Sequence, residues 1–235
     1  MTAPTDFDGG QRVLEGVMDL TYLSDVDAGR RAAMAVPSSR LPGDWPADPD
    51  QIFELPRYWR EAPELPADLR EHGSISREHL WDLAAQADRG VRSWTEVMIA
   101  SFAWGYVNAP YGPFRLRRIL TDTANEPCLE SSLRAAADRA LDDAVGAYHL
   151  LRTPPPDGGV RLRWYGPAFF TRFLFAASGV GGSACILDQG RADAVRRLTD
   201  DSTLLRGADW STEEYAFYLG FVDGLCFHKI GRQSA

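Results

Sequence analysis

Lysine is almost absent from this 235-residue sequence, since 24 of its 25 basic residues are arginines and only Lys229 is a lysine. An arginine guanidinium keeps its proton at ordinary pH and cannot act as an amine nucleophile. Chemistry that forms a Schiff base on the protein therefore has a single side chain to use. Lys229 follows the last apolar stretch of the chain, where its charge suits the C-terminal end of a helix better than a catalytic role.

Cysteines and long apolar runs are scarce as well. The three cysteines are too few for a four-thiolate metal site and odd in number for a disulfide framework, and the four histidines lack close metal-ligand spacing. No apolar run approaches the roughly 20 residues of a membrane-spanning helix, and the first residues do not resemble a secretory signal. We expect buried free thiols, no metal, no cofactor, no membrane and a cytoplasmic location.

Acidic residues exceed basic ones, and the excess lies mainly at the amino-terminal end. The net charge is −8; residues 1–75 carry 14 Asp or Glu against 7 Arg, whereas residues 160–197 carry 6 Arg against 2 Asp. An acidic protein as a whole repels a nucleic acid, but a locally basic segment weakens that objection. DNA therefore remains open as a partner of the second half of the chain.

Prolines divide the chain into an irregular first part and a helical second part. Between Val36 and Pro66 they recur too often for any long regular element, because each one fixes φ and lacks an N–H donor. Four aromatic residues indicate that this strap packs on the rest of the protein, namely Trp45, Phe53, Tyr58 and Trp59. We predict an acidic, Pro-rich extension over residues 1–75 that packs on the core, contains one short helix within residues 11–35, and offers a surface to a protein partner.

From residue 76 onward, apolar residues recur at helical spacing and no alternating strand pattern competes. Ser93 with Glu96, and Ser211 with Glu214, have the spacing of a capping box at a helix start. Residues 128–153 predict one long helix. We predict an all-α domain over residues 76–235, without internal repeats. The helices are expected to begin near Ser76, Ser93, Pro113, Cys128, Pro167, Asp188 and Ser211.

An aromatic and arginine-rich stretch, WGYVNAPYGPFRLRR, covers residues 104–118. Its aromatic rings suit stacking on an unpaired base, and its arginines suit contacts to phosphate. The same letters also fit a plain loop with turn residues. We expect Arg115 and Arg118 to bind nucleic acid, and Trp104 and Tyr111, together with Phe169, to line a base pocket.

The stretch YGPAFFTRFLFAAS, residues 165–178, predicts a helix that begins near Pro167. Its apolar stripe at i, i+3, i+4 and i+7 is formed by Phe170, Phe173, Leu174 and Ala177. Ala168 and Arg172, four residues apart, share the other side, so Arg172 is expected on the open face. The first amides of such a helix are unpaired and lie at its positive end, which suits phosphate binding.

The segment from Arg161 to Leu198, with its turn WYGP, its helix AFFTRFLFAAS and then ILDQGRADAV, resembles the helix-hairpin-helix DNA glycosylase superfamily. More specifically, it resembles bacterial proteins described as having an 8-oxoguanine DNA glycosylase fold. The upstream FAWGYVNAPYGPFRLRRIL and the terminal WSTEEYAFYL are similar to the same group. The resemblance covers roughly residues 76–230 and implies a glycosylase-like helical domain with its hairpin near residues 160–178.

The resemblance also implies roles for individual residues. In the superfamily an aspartate after the hairpin's second helix stabilises the cationic sugar or activates the nucleophile, and Asp188 matches its place. Gly166 matches a hairpin glycine that lets phosphate approach, whereas Trp164 stands where an earlier glycine is expected. The expected contacts to nucleic acid are Tyr165, Gly166, Ala168, Arg172, Arg115 and Arg118.

Strand-cutting members of the superfamily use a lysine near the start of the helix after the hairpin, where this sequence has Ala168 and then Arg172. The resemblance therefore implies a monofunctional glycosylase, in which Asp188 assists water and Arg172 holds phosphate. Two alternatives remain open: a non-catalytic descendant that binds nucleic acid or protein, and a small-molecule N-glycoside hydrolase whose DNA face is covered by the acidic strap. Asp188 is also a good helix N-cap without any catalysis.

Overall fold

The computed structural model describes residues 22–40 and 52–233, and α-helices dominate these described residues. The predicted all-α class is confirmed. One small antiparallel sheet joins β1 (Phe53–Glu54) to β2 (Ser74–Ile75). The helices are α1 (Leu23–Met34), α2 (Arg57–Arg60), α3 (Ala67–His72), α4 (Arg77–Asp88), α5 (Trp94–Gly105), α6 (Gly112–Leu120), α7 (Leu129–Ala140), α8 (Ala144–Arg152), α9 (Pro167–Ala177), α10 (Gln189–Thr199) and α11 (Thr212–Gln233).

Side-chain caps confirm the helix starts predicted at Ser76, Ser93, Asp188 and Ser211. Ser93 Oγ accepts from the Glu96 N–H at 3.1 Å, and the Glu96 carboxylate accepts from the Ser93 N–H at 2.9 Å. Ser211 and Glu214 bond in the same reciprocal way at the start of α11. These boxes satisfy amide groups that the first helical turn leaves unpaired.

The single helix predicted over residues 128–153 is wrong, because the chain breaks there into α7 and α8. Asp143 leaves the helical conformation and accepts a hydrogen bond from the Gly146 N–H at 2.8 Å, which caps α8. Arg139 in the last turn of α7 pairs with the same carboxylate at 2.7 Å. A buried, doubly satisfied carboxylate is therefore the reason for the break.

The described part of the amino-terminal extension packs into the protein. The helix expected within residues 11–35 is α1, and it lies along α11. The two backbones are very close, because a Cβ on Gly29 would overlap the Phe217 carbonyl oxygen and a Cβ on Gly220 would overlap the Val26 carbonyl oxygen. Trp59 in α2 is fully buried and donates to the Tyr106 carbonyl at 3.0 Å. The rest of the strap at residues 41–51, with Trp45, and the acidic residues 1–21 lie outside the described residues, and the boundary at residue 75 stays a prediction.

The core centres on α9, which packs against α4, α5, α7 and α8. Phe170, Phe173 and Leu174 are buried at the predicted helical spacing. None of the described helices is long and apolar enough to cross a membrane. Within the same part of the chain, no three His, Cys, Asp or Glu side chains are grouped as a metal site.

Candidate active site

Asp188 follows a non-helical segment that hydrogen bonds hold firmly between α9 and α11. The Tyr218 hydroxyl donates to the Ile186 carbonyl at 2.7 Å, and the Tyr215 hydroxyl donates to the Cys185 carbonyl at 2.9 Å. Thr171 of α9 bonds both the amide and the carbonyl of Leu187 at 3.2 Å. The position of Asp188 is thus fixed by two helices that are distant in sequence.

The Asp188 carboxylate caps α10 and binds two arginines. Its Oδ1 accepts from the Arg191 N–H at 3.0 Å, the N-cap bond expected from the sequence. Its Oδ2 accepts from the Arg172 guanidinium at 2.9 Å and from the Arg191 guanidinium at 2.6 Å. The stretches around Arg172 and Asp188 therefore form one site.

Arg172 does not lie on an open face, so that expectation is wrong. Its side chain is only 12% exposed, and besides Asp188 it also donates to the Ala168 carbonyl one turn earlier in α9. The space for it comes from Gly105 at the end of α5, where a Cβ would overlap the Cδ and Nε atoms of Arg172. In the structure the guanidinium pairs with the Asp188 carboxylate, and its expected contact to phosphate stays a prediction.

Burial sets the electrostatics around the carboxylate. It lowers the pKa of the Arg172 guanidinium, an effect that Asp188 opposes, and arginine stays charged at ordinary pH. Burial raises the pKa of Tyr218, and it raises that of Tyr215 well above its ordinary value. Both tyrosines are therefore neutral hydrogen-bond donors to the segment before Asp188, and the net local charge comes from Asp188, Arg172 and Arg191.

A cavity of about 470 Å³ lies beside this cluster. Ile186 and Gly190, on either side of Asp188, both line it, as does Arg191. Its walls are mostly apolar, which suits a flat organic ligand with a few polar contacts. The other residues that line it are Arg77, Trp104, Phe175, Cys185, Ala194, Val195, Leu198, Tyr218, Phe221, Val222 and Leu225.

The three residues expected to form a base pocket are not brought together. Trp104 lines the cavity and stacks on Phe175, with ring centroids 6.2 Å apart. Phe169 instead stacks on Phe102 and Tyr106, and Tyr111 packs edge-on against Tyr106. The second cluster extends to Arg115, whose guanidinium carbon lies 5.7 Å from the Tyr111 ring centroid and 5.5 Å from that of Phe169.

The turn before α9, where the sequence predicts a hairpin, holds its tyrosine inside the protein, against expectation. The Tyr165 side chain is buried, which raises its pKa well above the ordinary value and removes the ring from any contact with DNA. Gly166, by contrast, faces open space, since a Cβ there would meet no atom within 4 Å. Ala168 is partly exposed in the first turn of α9, where its carbonyl binds Arg172.

Trp164 has a backbone conformation that glycine adopts readily and a bulky residue rarely does. Its φ is 66°, in the left-handed region, and its side chain is about half exposed. The indole N–H donates to Asp122 at 2.9 Å, and the guanidinium of the exposed Arg118 stacks on the ring with its carbon 3.4 Å from the centroid. The sequence shows a tryptophan where the resemblance implies a glycine, but it does not predict that Trp164 adopts the left-handed conformation.

Two residues of the site were missed by sequence reasoning. Arg191 stands three residues after the N-cap Asp188, a spacing at which charged side chains meet on a helix, so this signal was available. Gly105 carried no signal, because nothing local in the sequence links it to Arg172, 67 positions further along the chain.

The comparisons with known proteins identify a family for this chain. The model of a family described as "Putative 8-oxoguanine DNA glycosylase OGG-like protein" matches residues 46–231. No curated protein and no solved structure matches the chain. The family match includes α2 to α10, most of α11, Asp188, both of its arginine partners and the cavity. Since it covers most of the sequence, the chain belongs to this OGG-like DNA glycosylase family.

Proposed function

We propose that the protein hydrolyses the N-glycosidic bond of a modified or damaged base in DNA and leaves the sugar–phosphate strand uncut. One observation carries the proposal: the Asp188 carboxylate is held at the start of α10, and Ile186 and Gly190, two residues before and two residues after it, line a cavity of about 470 Å³. A glycosylase must extrude its target base into a pocket beside the catalytic group. The family match supports the same reaction class.

Cleavage of the N-glycosidic bond is favoured by a negative charge next to the sugar. As the bond between C1′ and the base nitrogen breaks, its electron pair leaves with the base and positive charge develops on the sugar ring. A preorganised carboxylate such as Asp188 stabilises that charge. Water then forms the new C1′–O bond, and one of its protons ends on the departing base, so the products are a free base and an abasic sugar.

Strand cleavage through a protein amine finds no support around Asp188. The first turn of α9 carries Ala168, and the nearest basic groups are the guanidiniums of Arg172 and Arg191. A guanidinium does not form a Schiff base with the opened sugar. We therefore propose hydrolysis by water alone.

A non-catalytic DNA-binding protein is the second candidate, and one observation favours it. Both carboxylate oxygens of Asp188 already accept hydrogen bonds, from Arg172, from the Arg191 guanidinium and from the Arg191 N–H. A neutralised carboxylate stabilises a developing cation less than a free one does. The catalytic proposal requires the more exposed Arg191, whose side chain is 45% accessible, to release Asp188 when DNA phosphate is present.

The test compares the parent protein with Asp188→Asn and Asp193→Asn on duplex and single-stranded oligonucleotides that carry oxidised, alkylated or deaminated bases. Asparagine is as good an N-cap as aspartate, so Asp188→Asn removes the charge and keeps the start of α10. Asp193, also in α10 and paired with Arg196, is the matched control. Mass spectrometry detects freed base, and a denaturing gel, with and without alkali, reports strand cutting.

We expect base release by the parent and by Asp193→Asn, and a loss of about 100-fold or more in Asp188→Asn. Strands should break only after alkali. Equal rates in the parent and Asp188→Asn would remove the catalytic role of Asp188. Salt-dependent DNA binding without release of any base would favour the non-catalytic candidate, and release from free nucleosides only would favour a small-molecule hydrolase.

A further inference from the structure

Trp164 is an exposed aromatic ring that the surrounding structure holds in a fixed orientation. Its indole N–H is bound to Asp122, and its backbone is anchored through the preceding residue: Asn125, itself buried, accepts from the Arg163 N–H at 2.8 Å and donates to the Arg163 carbonyl at 3.0 Å. A rigid ring loses little conformational entropy when a ligand stacks on it. The protein therefore keeps this side chain ordered at the surface without burying it.

A groove of about 440 Å³ opens beside the ring, and we call it the Trp164 groove. It is lined by Pro154, Pro155, Arg161, Arg163 and Trp164. Arg161 and Arg163 are exposed, and Arg118 adds a third guanidinium against the ring. One acid, Asp122, pairs with Arg163 at 3.6 Å, so the positive charges of the groove and its edge exceed the negative ones.

We propose that the Trp164 groove binds an unpaired nucleotide of a DNA strand, with the base stacked on the indole face opposite Arg118 and the phosphates on Arg161 and Arg163. Every base has a face that stacks on an aromatic ring, and guanidinium groups form bidentate hydrogen bonds with phosphate. A base inside a duplex is already stacked, so the groove selects single-stranded DNA next to the duplex. The inference rests on the DNA partner of the proposed function but needs no catalysis.

The groove also lies close to Asp188 along the chain. The hairpin leads directly into α9, and Arg172, which binds Asp188, is five residues beyond Pro167, or about 8 Å along the helix axis. The helix α9 therefore connects the turn that carries Trp164 to the arginine that pairs with Asp188.

The experiment measures binding of the full chain to a blunt DNA duplex and to the same duplex with a short single-stranded overhang at its 5′ or 3′ end. Fluorescence anisotropy gives the dissociation constants at one fixed salt concentration. The variants are Trp164→Gly, which removes the ring and fits the left-handed backbone, Trp164→Phe, which keeps a ring, and Leu141→Ala. Leu141 is the control, because it is an exposed apolar residue just before α8, whereas the groove lies past that helix's other end.

We expect the parent to bind one overhang duplex about fivefold or more tightly than the blunt duplex, since stacking on an aromatic ring strengthens binding of each base by at least that factor. Trp164→Gly should lose the preference, Trp164→Phe should keep part of it, and Leu141→Ala should keep all of it. A parent without the preference, or a Trp164→Gly variant that retains it, overturns the inference.

The two proposals fail in different ways. If the protein releases no base but shows an overhang preference that depends on Trp164, the groove proposal is supported and the glycosylase proposal is overturned. Base release by a parent protein that has no overhang preference would support the glycosylase activity and overturn the groove proposal. Asp188→Asn should show the parent's overhang preference, because Asp188 does not line the groove.

Discussion

At the scale of single residues, Trp164 occupies a backbone conformation that costs a bulky side chain about 1–2 kcal/mol. Its stacking with Arg118 and its bond to Asp122 offset part of that cost. We expect Trp164→Gly to be more stable than Trp164→Ala by about 1 kcal/mol, since both lose the ring and only alanine keeps the strain. Urea denaturation of the two variants measures the difference.

This order reverses the usual effect of glycine, which makes the comparison decisive. An alanine variant as stable as the glycine variant would mean that the hairpin relaxes out of the left-handed conformation when the ring is gone. Gly166→Ala serves as the reference, because this neighbouring residue has a φ of −84° and open space around it, so a Cβ there adds no strain.

Asp188 and Arg172 show how far sequence reasoning reaches at this scale. The role of Asp188 as an N-cap followed from local signals, an apolar segment and then a helical pattern, and the structure confirms it. The burial of Arg172 did not follow, because periodicity within α9 shows only which residues share a face. The residue that lies against Arg172 is Gly105 of α5, and periodicity within α9 carries no information about another helix.

At the scale of helices, the site depends on the close approach of α5 and α9. We expect Gly105→Ala to lower the free energy of unfolding by about 1–3 kcal/mol, although alanine is the better helix former, because the added Cβ overlaps Arg172. The displaced guanidinium can no longer hold Asp188, so base release should fall as well. Thermal denaturation and the base-release assay check both effects.

Gly190→Ala is the matched control in the same site. It lies in the first turn of α10, and a Cβ there would meet only the Asp188 carboxylate, at an ordinary contact distance of 3.6 Å. This variant should be as stable as the parent or slightly more stable. If Gly105→Ala behaves like Gly190→Ala, Arg172 has another position open to it and is not held by the α5–α9 contact.

Helix boundaries were predictable where the signal was local. The capping boxes at Ser93 and Ser211 needed only four consecutive residues, and both formed. The break at Asp143 was not predictable from the sequence, because the adjacent Asp142 and Asp143 within a good helical pattern are equally typical of an exposed helix face. The burial of Asp143, which makes capping more favourable than continuing the helix, depends on tertiary packing.

At the scale of the whole molecule, stability should decline in acid. Burial alone would raise the pKa of Glu96 and of Glu64, but bonds from Ser93 and Arg92 to Glu96, and from Arg117 to Glu64, outweigh it and hold both pKa values below the ordinary 4.5. Groups with a lowered folded-state pKa stabilise the protein above about pH 4.5, and this contribution is lost as the pH falls through the folded-state value.

Urea denaturation at a series of pH values tests this decline. The free energy of unfolding of the parent should fall steadily below about pH 4.5. Glu64→Gln should be less stable than the parent near neutral pH, and its stability should fall less steeply in acid. Parallel curves for the parent and Glu64→Gln would mean that the pair with Arg117 contributes nothing, as many exposed pairs do.

The contact between α1 and α11 bears on where the protein can be cut. The family match starts at residue 46, which is after α1, yet Gly29 and Gly220 let these two helices touch backbone to backbone. A chain trimmed to the matched region would uncover the side of α11 that lies against α1, which includes Phe217, Gly220, Phe221 and Gly224. We expect the trimmed protein to expose this side of α11, and therefore to be less stable and to self-associate more readily than a chain that keeps α1.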